Sequence, residues 1–252
     1  MKKTLLFLFA FVAIQLAASY GVQAIFRLIG GDPLSVSSLI LSMAVFSIVT
    51  IVVFLYAKWC VVSPHYLRTR PWGVMSWSVL AAIGAILPSM WIQEQIPPLP
   101  NVLDESLNMI LKDRWGYVVV GLLAPLAEEL VFRGAILRSL LSSFRRPWVA
   151  IFVSALLFAL VHANPAQMPH ALLVGLLLGW MYWRTGSILP GVAYHWVNNS
   201  IAYILFNLLP NPDATLLELA HGNKTMMGLW LLCSLCVLLP SLLQLHLRMR
   251  RE

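Results

Sequence analysis

Apolar residues along this chain do not alternate; they come in long runs separated by short polar or Pro- and Gly-containing breaks. Eight runs read as helices, approximately over 4–26, 36–57, 72–92, 115–137, 147–163, 168–184, 188–209 and 225–246. A helix rises about 1.5 Å per residue, so about 20 apolar residues cross a hydrocarbon core of about 30 Å. The breaks fall at Gly30-Gly31-Asp32-Pro33, Ser63-Pro64, Pro97-Pro98-Leu99-Pro100, Asn164-Pro165 and Pro210-Asn211-Pro212. No linker is long enough for a soluble domain and no internal repeat is visible. Residues 1–252 therefore read as a single membrane domain: an all-α, polytopic bundle with about eight transmembrane helices. The longest connection, 93–114, is expected to hold a short interfacial helix over 103–112.

Composition strengthens this picture. Hydrophobic residues make up 60% of the chain and charged residues only 11%, against about 25% charged in soluble domains. The mean hydropathy is +0.82. Lys2 and Lys3 before an apolar run also describe a signal peptide. The run continues to Phe26, long enough to span, so a retained first helix is expected.

The net charge of +7 would suggest nucleic acid in a soluble chain; here its distribution explains it. With both termini inside, Lys2, Lys3, Lys58, Arg68, Arg70, Arg138, Arg145, Arg146, Arg184, Arg248, Arg250 and Arg251 fall on the cytoplasmic side. Only Arg27, Lys112, Arg114 and Lys224 fall outside. Twelve against four is a strong positive-inside bias. Glu252 alone of the loop acids falls inside. The protein is expected to be integral to the membrane with both ends cytoplasmic, and no nucleic-acid partner is implied. Three cysteines make no disulfide framework; Cys233-x-x-Cys236 sits in an apolar run with no second pair.

Some residues do not belong in lipid. An ionised side chain near the bilayer centre costs about 2.5–3.5 kcal/mol even on mild scales. The segment Ala-Pro-Leu-Ala-Glu128-Glu129-Leu-Val-Phe-Arg133 holds three. Glu129 and Arg133 are four apart and can pair on one face, the acid N-terminal as that geometry prefers. Glu128 is turned about 100° away, and the residue four on is Phe132. It needs partners from other helices. His162 follows Phe158 by one turn and His195 precedes Asn199 by one turn, so each pair shares a helix face. Counting along the helices puts Glu128 ~18 Å below the outer edge and His195 ~10 Å above the inner edge, nearly one depth. His162 comes out nearer the outer face. His65, His170, His221 and His246 lie in loops or at helix ends, where packing or solvation is the ordinary role. Gly175-x-x-x-Gly179 allows close helix approach, and Arg184-Thr185-Gly186-Ser187 is a tight turn into the seventh helix.

Together Glu128-Glu129-x-x-x-Arg133, Phe158-x-x-x-His162 and His195-x-x-x-Asn199 resemble the type II CAAX prenyl protease and bacteriocin-processing family, also called the CPBP or Abi intramembrane proteases. The resemblance covers about 115–205. It implies an intramembrane endopeptidase acting on a peptide or protein that enters from the membrane or the cytoplasmic side, in a bacterial plasma membrane. By that analogy Glu128 deprotonates water and His162 holds the water or shuttles its proton. His195 and Asn199 donate to the oxyanion, while Glu129, Arg133 and Phe158 support them. No cofactor is expected. A carboxylate and two histidines (Glu128, His162, His195) are also a zinc set with an open position, although the His-Glu-x-x-His spacing is absent. The rival class is a non-catalytic bacteriocin-immunity protein or membrane-protein scaffold that uses the same polar cavity for binding. A transporter would be expected to show repeats or paired broken helices.

Overall fold

With no water to satisfy its N–H and C=O groups, a chain crossing lipid must form its hydrogen bonds internally. The computed structural model of this chain describes residues 2–62, 72–212 and 214–249, and the apolar runs are helices throughout. They are α1 (Lys2–Leu28), α2 (Val36–Tyr56), α3 (Trp72–Glu94), α4 (Asp104–Lys112), α5 (Arg114–Ser143), α6 (Pro147–Val161), α7 (Met168–Thr185), α8 (Leu189–Leu208), α9 (Leu216–Leu219) and α10 (Lys224–Arg248). There is no strand among the described residues. The short amphipathic helix expected near 103–112 is α4. Ser63-Pro64, His65, Arg68, Arg70, Asp213 and residues 250–252, used above for loops and orientation, lie outside the described residues.

Among the described residues, five helices are long and apolar enough to cross a membrane: α1, α2, α3, α5 and α10. The expectation of eight is met only to that extent. α6 is apolar but has 15 residues. α7 and α8 carry His170, Arg184, His195, Asn198 and Asn199. The reason is physical: a helix surrounded by protein need not be apolar all round. The two sides of that argument are visible in burial. The most apolar window of α5 is 56% buried inside the protein, while that of α10 is 11% buried. Leu229, Leu239 and Leu243 of α10 present their side chains outward, as does Phe9 of α1.

Close packing locks the polar helices around α5. A Cβ at Gly175 would stand 2.9 Å from Ala155 Cβ, and one at Gly179 would stand 2.9 Å from Ile151. The G-x-x-x-G of α7 therefore seats α7 directly on α6, the approach its spacing suggests. Gly84 of α3 approaches the backbone of Leu238 in the same way, and Ser234 Oγ donates to its carbonyl at 3.0 Å. Arg184, at the end of α7, donates to the carbonyls of Met249 (2.7 Å) and His246 (2.9 Å), supplying partners for the C-terminus of α10.

An aromatic row runs through the core. Phe46 meets Phe11, Phe11 meets Phe132, and Phe132 meets Phe158, all edge to face at 5.0–5.3 Å between centroids. Such pairs add about 0.5–1.5 kcal/mol each beyond burial. The row ties α2 and α1 to α5 and α6, and its last ring leads into the polar site. Thr4 Oγ1 adds a bond to Ser139 Oγ at 3.1 Å. The first helix is thus packed into the bundle.

Candidate active site

α5 does not hold one register. Its stretch Tyr117–Leu123 is π-helical, Ala124–Glu129 is α-helical, and Leu130–Leu137 is π-helical again. Pro125 supplies a cause, because it has no N–H and crowds the carbonyl four residues back. The chain answers by widening: Ala124 N–H bonds the carbonyl of Val119, five residues back. In that register the carbonyl of Val120 would face residue 125, the proline, and is left without a helical donor. Asn199 Nδ2 donates to it at 3.0 Å. Leu122 O likewise accepts from Trp196 Nε1 at 2.8 Å, and Phe132 O from Ser154 Oγ at 3.1 Å. Side chains of neighbouring helices complete what the proline disturbs.

α8 binds α5, and beyond its start the end of α4, along a stripe spaced by four: His195, Asn199, Tyr203 and Asn207. Tyr203 Oη donates to Asp113 O (3.2 Å) and Asn207 Nδ2 to Leu111 O (3.0 Å). The sequence reading stopped at the first two members. The polar residues at 203 and 207 continue the same face, and that periodicity was the available signal.

The charged cluster lies between these helices. Arg133 Nη1 donates to Glu129 Oε1 at 2.7 Å, with Glu129 fully buried and Arg133 1% exposed. The guanidinium also donates to Gly175 O at 3.3 Å and lies over the Phe158 ring, 4.4 Å from its centroid. His195 completes the group and is itself buried. Its Nδ1 is 3.2 Å from Glu129 Oε1 and its Nε2 is 3.7 Å from Glu128 Oε2. Since a carboxylate only accepts, Nδ1 carries the proton. Glu128 keeps 18% of its side chain exposed, so it is the reachable member of the cluster. Space is tight on the other side. A Cβ on Gly191 would fall 2.6 Å from Glu129 Oε2, so glycine is what lets α8 approach that carboxylate.

Phe158 is the hub of the site. Besides carrying Arg133 on its ring, it meets His162 at 4.9 Å and His195 at 5.9 Å, both edge to face. The spacing Phe158-x-x-x-His162 thereby has a packing reason, one ring placing two histidines. His162 stands at the C-terminal end of α6, and its Nδ1 is 2.8 Å from Phe158 O. The carbonyl makes Nδ1 the donor, which leaves Nε2 as an acceptor.

The structure therefore brings Glu128, Glu129, Arg133, Phe158 and His195 together and sets His162 on the same phenyl ring. Asn199 is drawn to the π-helical backbone. The metal set weighed above does not form a cluster: among the described residues no three His, Cys, Asp or Glu side chains converge as ligands would. The sequence reading gave His170 an ordinary role at a helix end and assigned none to Asn198. Asn198 Nδ2 bonds Asn199 Oδ1 at 3.2 Å and His170 Nε2 at 3.3 Å.

Two glutamates, a histidine and a buried arginine gathered within a bundle of apolar helices make a polar cluster of the kind that marks a functional site in a membrane protein. Residues 111–201, the segment that contains all of it, match the family model described as type II CAAX prenyl endopeptidase Rce1-like. That is the family which the three motifs resemble, and it is a family of membrane-bound proteases. No curated protein and no solved structure matches the chain.

Proposed function

We propose that the protein is an intramembrane endopeptidase of the CAAX-protease type, hydrolysing a peptide bond near the membrane with Glu128 activating water. One observation carries this reading within the family match: His195 joins both glutamates, one at each ring nitrogen. Buried Glu129 pairs with Arg133 through Oε1 and orients His195 through Nδ1–H at the same oxygen. The other ring nitrogen is thereby turned towards Glu128, the partly exposed carboxylate. With Arg133 cationic and both glutamates anionic, the group carries one uncompensated negative charge. The water proton taken up by Glu128 in the attack step balances it.

The steps follow. Glu128 removes a proton from water as its oxygen attacks the scissile carbonyl, and the C–O bond forms as the C=O electrons move to oxygen. Donors at the site, among them Asn199 with its second amide hydrogen, stabilise that oxyanion. Collapse breaks the C–N bond, and the proton held by Glu128 goes to the leaving amine. His162 holds the water through its acceptor nitrogen Nε2. A low-dielectric site strengthens each of these interactions.

The reading is tested with purified full-length protein in detergent and a farnesylated CAAX-type reporter peptide. Cleavage that persists in excess chelator is expected. Loss of activity in chelator, restored by zinc, would move the mechanism to metal-activated water. Binding of the peptide without cleavage would favour the scaffold or immunity role instead.

The topology proposed with it has eight spans and both termini cytoplasmic, α6, α7 and α8 crossing within the protein's own shell. Reporter fusions after residues 66, 144 and 250 are expected to read cytoplasmic, and those after 103 and 214 external. Two opposite readings would overturn this arrangement.

A further inference from the structure

The hydrogen bonds behind Asn199 run in one direction, and the direction is set at the Val120 end. A carbonyl only accepts, so Asn199 must present its Nδ2 to Val120 O, at 3.0 Å. Its Oδ1 then faces Asn198, whose Nδ2 lies 3.2 Å away and must be the donor. The same Asn198 nitrogen is 3.3 Å from His170 Nε2. An amide N–H₂ cannot accept, so His170 Nε2 carries no proton. Neutral His170 then has its proton on Nδ1, which is 2.7 Å from Ser89 Oγ. Four helices are joined by this chain: α3 through Ser89, α7 through His170, α8 through the two asparagines and α5 through Val120. Asn198 is 5% exposed, and both of its amide hydrogens are engaged.

We propose that His170 is a positioning residue of the peptidase site. By accepting from Asn198 it anchors the far end of the chain and holds the Asn199 amide in the orientation that Val120 O demands, N–H rather than C=O towards Val120, with its second hydrogen kept for a ligand oxygen. The inference rests on the endopeptidase reading for the use made of Asn199. The direction of the hydrogen bonds stands on the geometry alone. Flipping Asn199 would set two carbonyl oxygens against each other at Val120. With His170 in place a flip of Asn198 would need a proton on Nε2 and would oppose two amide oxygens at Asn199. Without His170 the Asn198 amide loses one of its two anchors, and the donor beyond it loses its fixed orientation.

Two readouts separate this role from mere packing. The first is nitrogen NMR of ¹⁵N-histidine-labelled full-length protein in detergent, with the His170 signal assigned by its loss in His170→Gln. His170 is expected as one neutral tautomer, protonated at Nδ1; a proton on Nε2 overturns the proposal. The second is cleavage of the farnesylated reporter peptide. His170→Leu is expected to lower kcat by about 10- to 100-fold with KM little changed, less than the 10²–10³-fold typical of deleting an oxyanion donor outright. His170→Gln, whose amide oxygen reaches the position of Nε2, is expected to restore most of it. In the Asn199→Ala background, His170→Leu should add no further loss. Equal loss in the Leu and Gln variants, or losses that multiply in the double variant, overturn the proposal. Should His170→Leu not fold, the Gln variant decides with the tautomer: a Gln variant as slow as Asn199→Ala overturns it. A wild-type protein that leaves the peptide intact refutes the endopeptidase reading and the catalytic half of this proposal, while the tautomer still tests the network.

Discussion

Replacing Arg133 alone by leucine is expected to destabilise the protein more than replacing Arg133 and Glu129 together by leucine and methionine. The guanidinium is 1% exposed and Glu129 is fully buried, so either residue left alone is a charge without its counter-charge. Stranding one member of such a pair costs about 3–5 kcal/mol. Removing both exchanges a desolvated pair for apolar packing, which is often near neutral. Three contacts make the arginine the more damaging loss: Glu129 at 2.7 Å, Gly175 O at 3.3 Å and the Phe158 ring at 4.4 Å. Glu129→Gln should be milder than Glu129→Leu, because an amide oxygen can still accept from Arg133 and from His195 Nδ1–H. Folded yield in detergent and thermal unfolding of the two single variants and the double variant give the comparison. Additive losses in that cycle would mean that the two side chains do not stabilise each other. Since His195 Nδ1 also leans on Glu129, the double variant is expected to be folded but inactive.

Much of this architecture is legible in the sequence because lipid imposes simple demands. Runs such as 4–26 and 225–246 become Lys2–Leu28 and Lys224–Arg248, since an apolar backbone has to form helix to bond itself. The pair of Glu129 with Arg133 follows from a spacing of four on one helix. What the sequence conceals is whatever depends on register and on partners from other helices. The π-helical stretch Tyr117–Leu123 of α5 arises where Pro125 disturbs the ladder, and no composition rule marks it or the second stretch, Leu130–Leu137. The first decides where Asn199 goes, because the Val120 carbonyl needs a donor. The resemblance makes His195 an oxyanion donor and says nothing of its contact with both glutamates. Two ring nitrogens give histidine that option, and only the crossing of α8 over α5 realises it. His170 looked like an ordinary residue at a helix start. Its role is visible only once Ser89 and Asn198 flank it. The helix count differs for a related reason, because α7 and α8 are shielded by neighbours and can carry polar residues that a lipid-facing helix would exclude.

The second large effect concerns Glu128, and the central claim rests on it. Glutamine has the shape of glutamate and can still lie 3.7 Å from His195 Nε2, the separation seen for the carboxylate. It cannot take a proton from water. Because Glu128 is partly exposed and is not the partner of Arg133, its replacement leaves the buried ion pair intact and should change stability little. General-base catalysis is worth about 10²–10⁴-fold, and in an active site where the base also neutralises the cluster the loss should lie at the upper end. Glu128→Asp, which draws the carboxylate back by one methylene, should retain a small fraction of activity through a longer reach. The most direct measurement is kcat/KM of wild type and Glu128→Gln on the farnesylated reporter peptide, each shown to unfold at the same temperature in the same detergent. A fall of at least about 10³-fold with unchanged melting is the predicted result. A Glu128→Gln protein that cleaves at a rate near wild type would contradict the account.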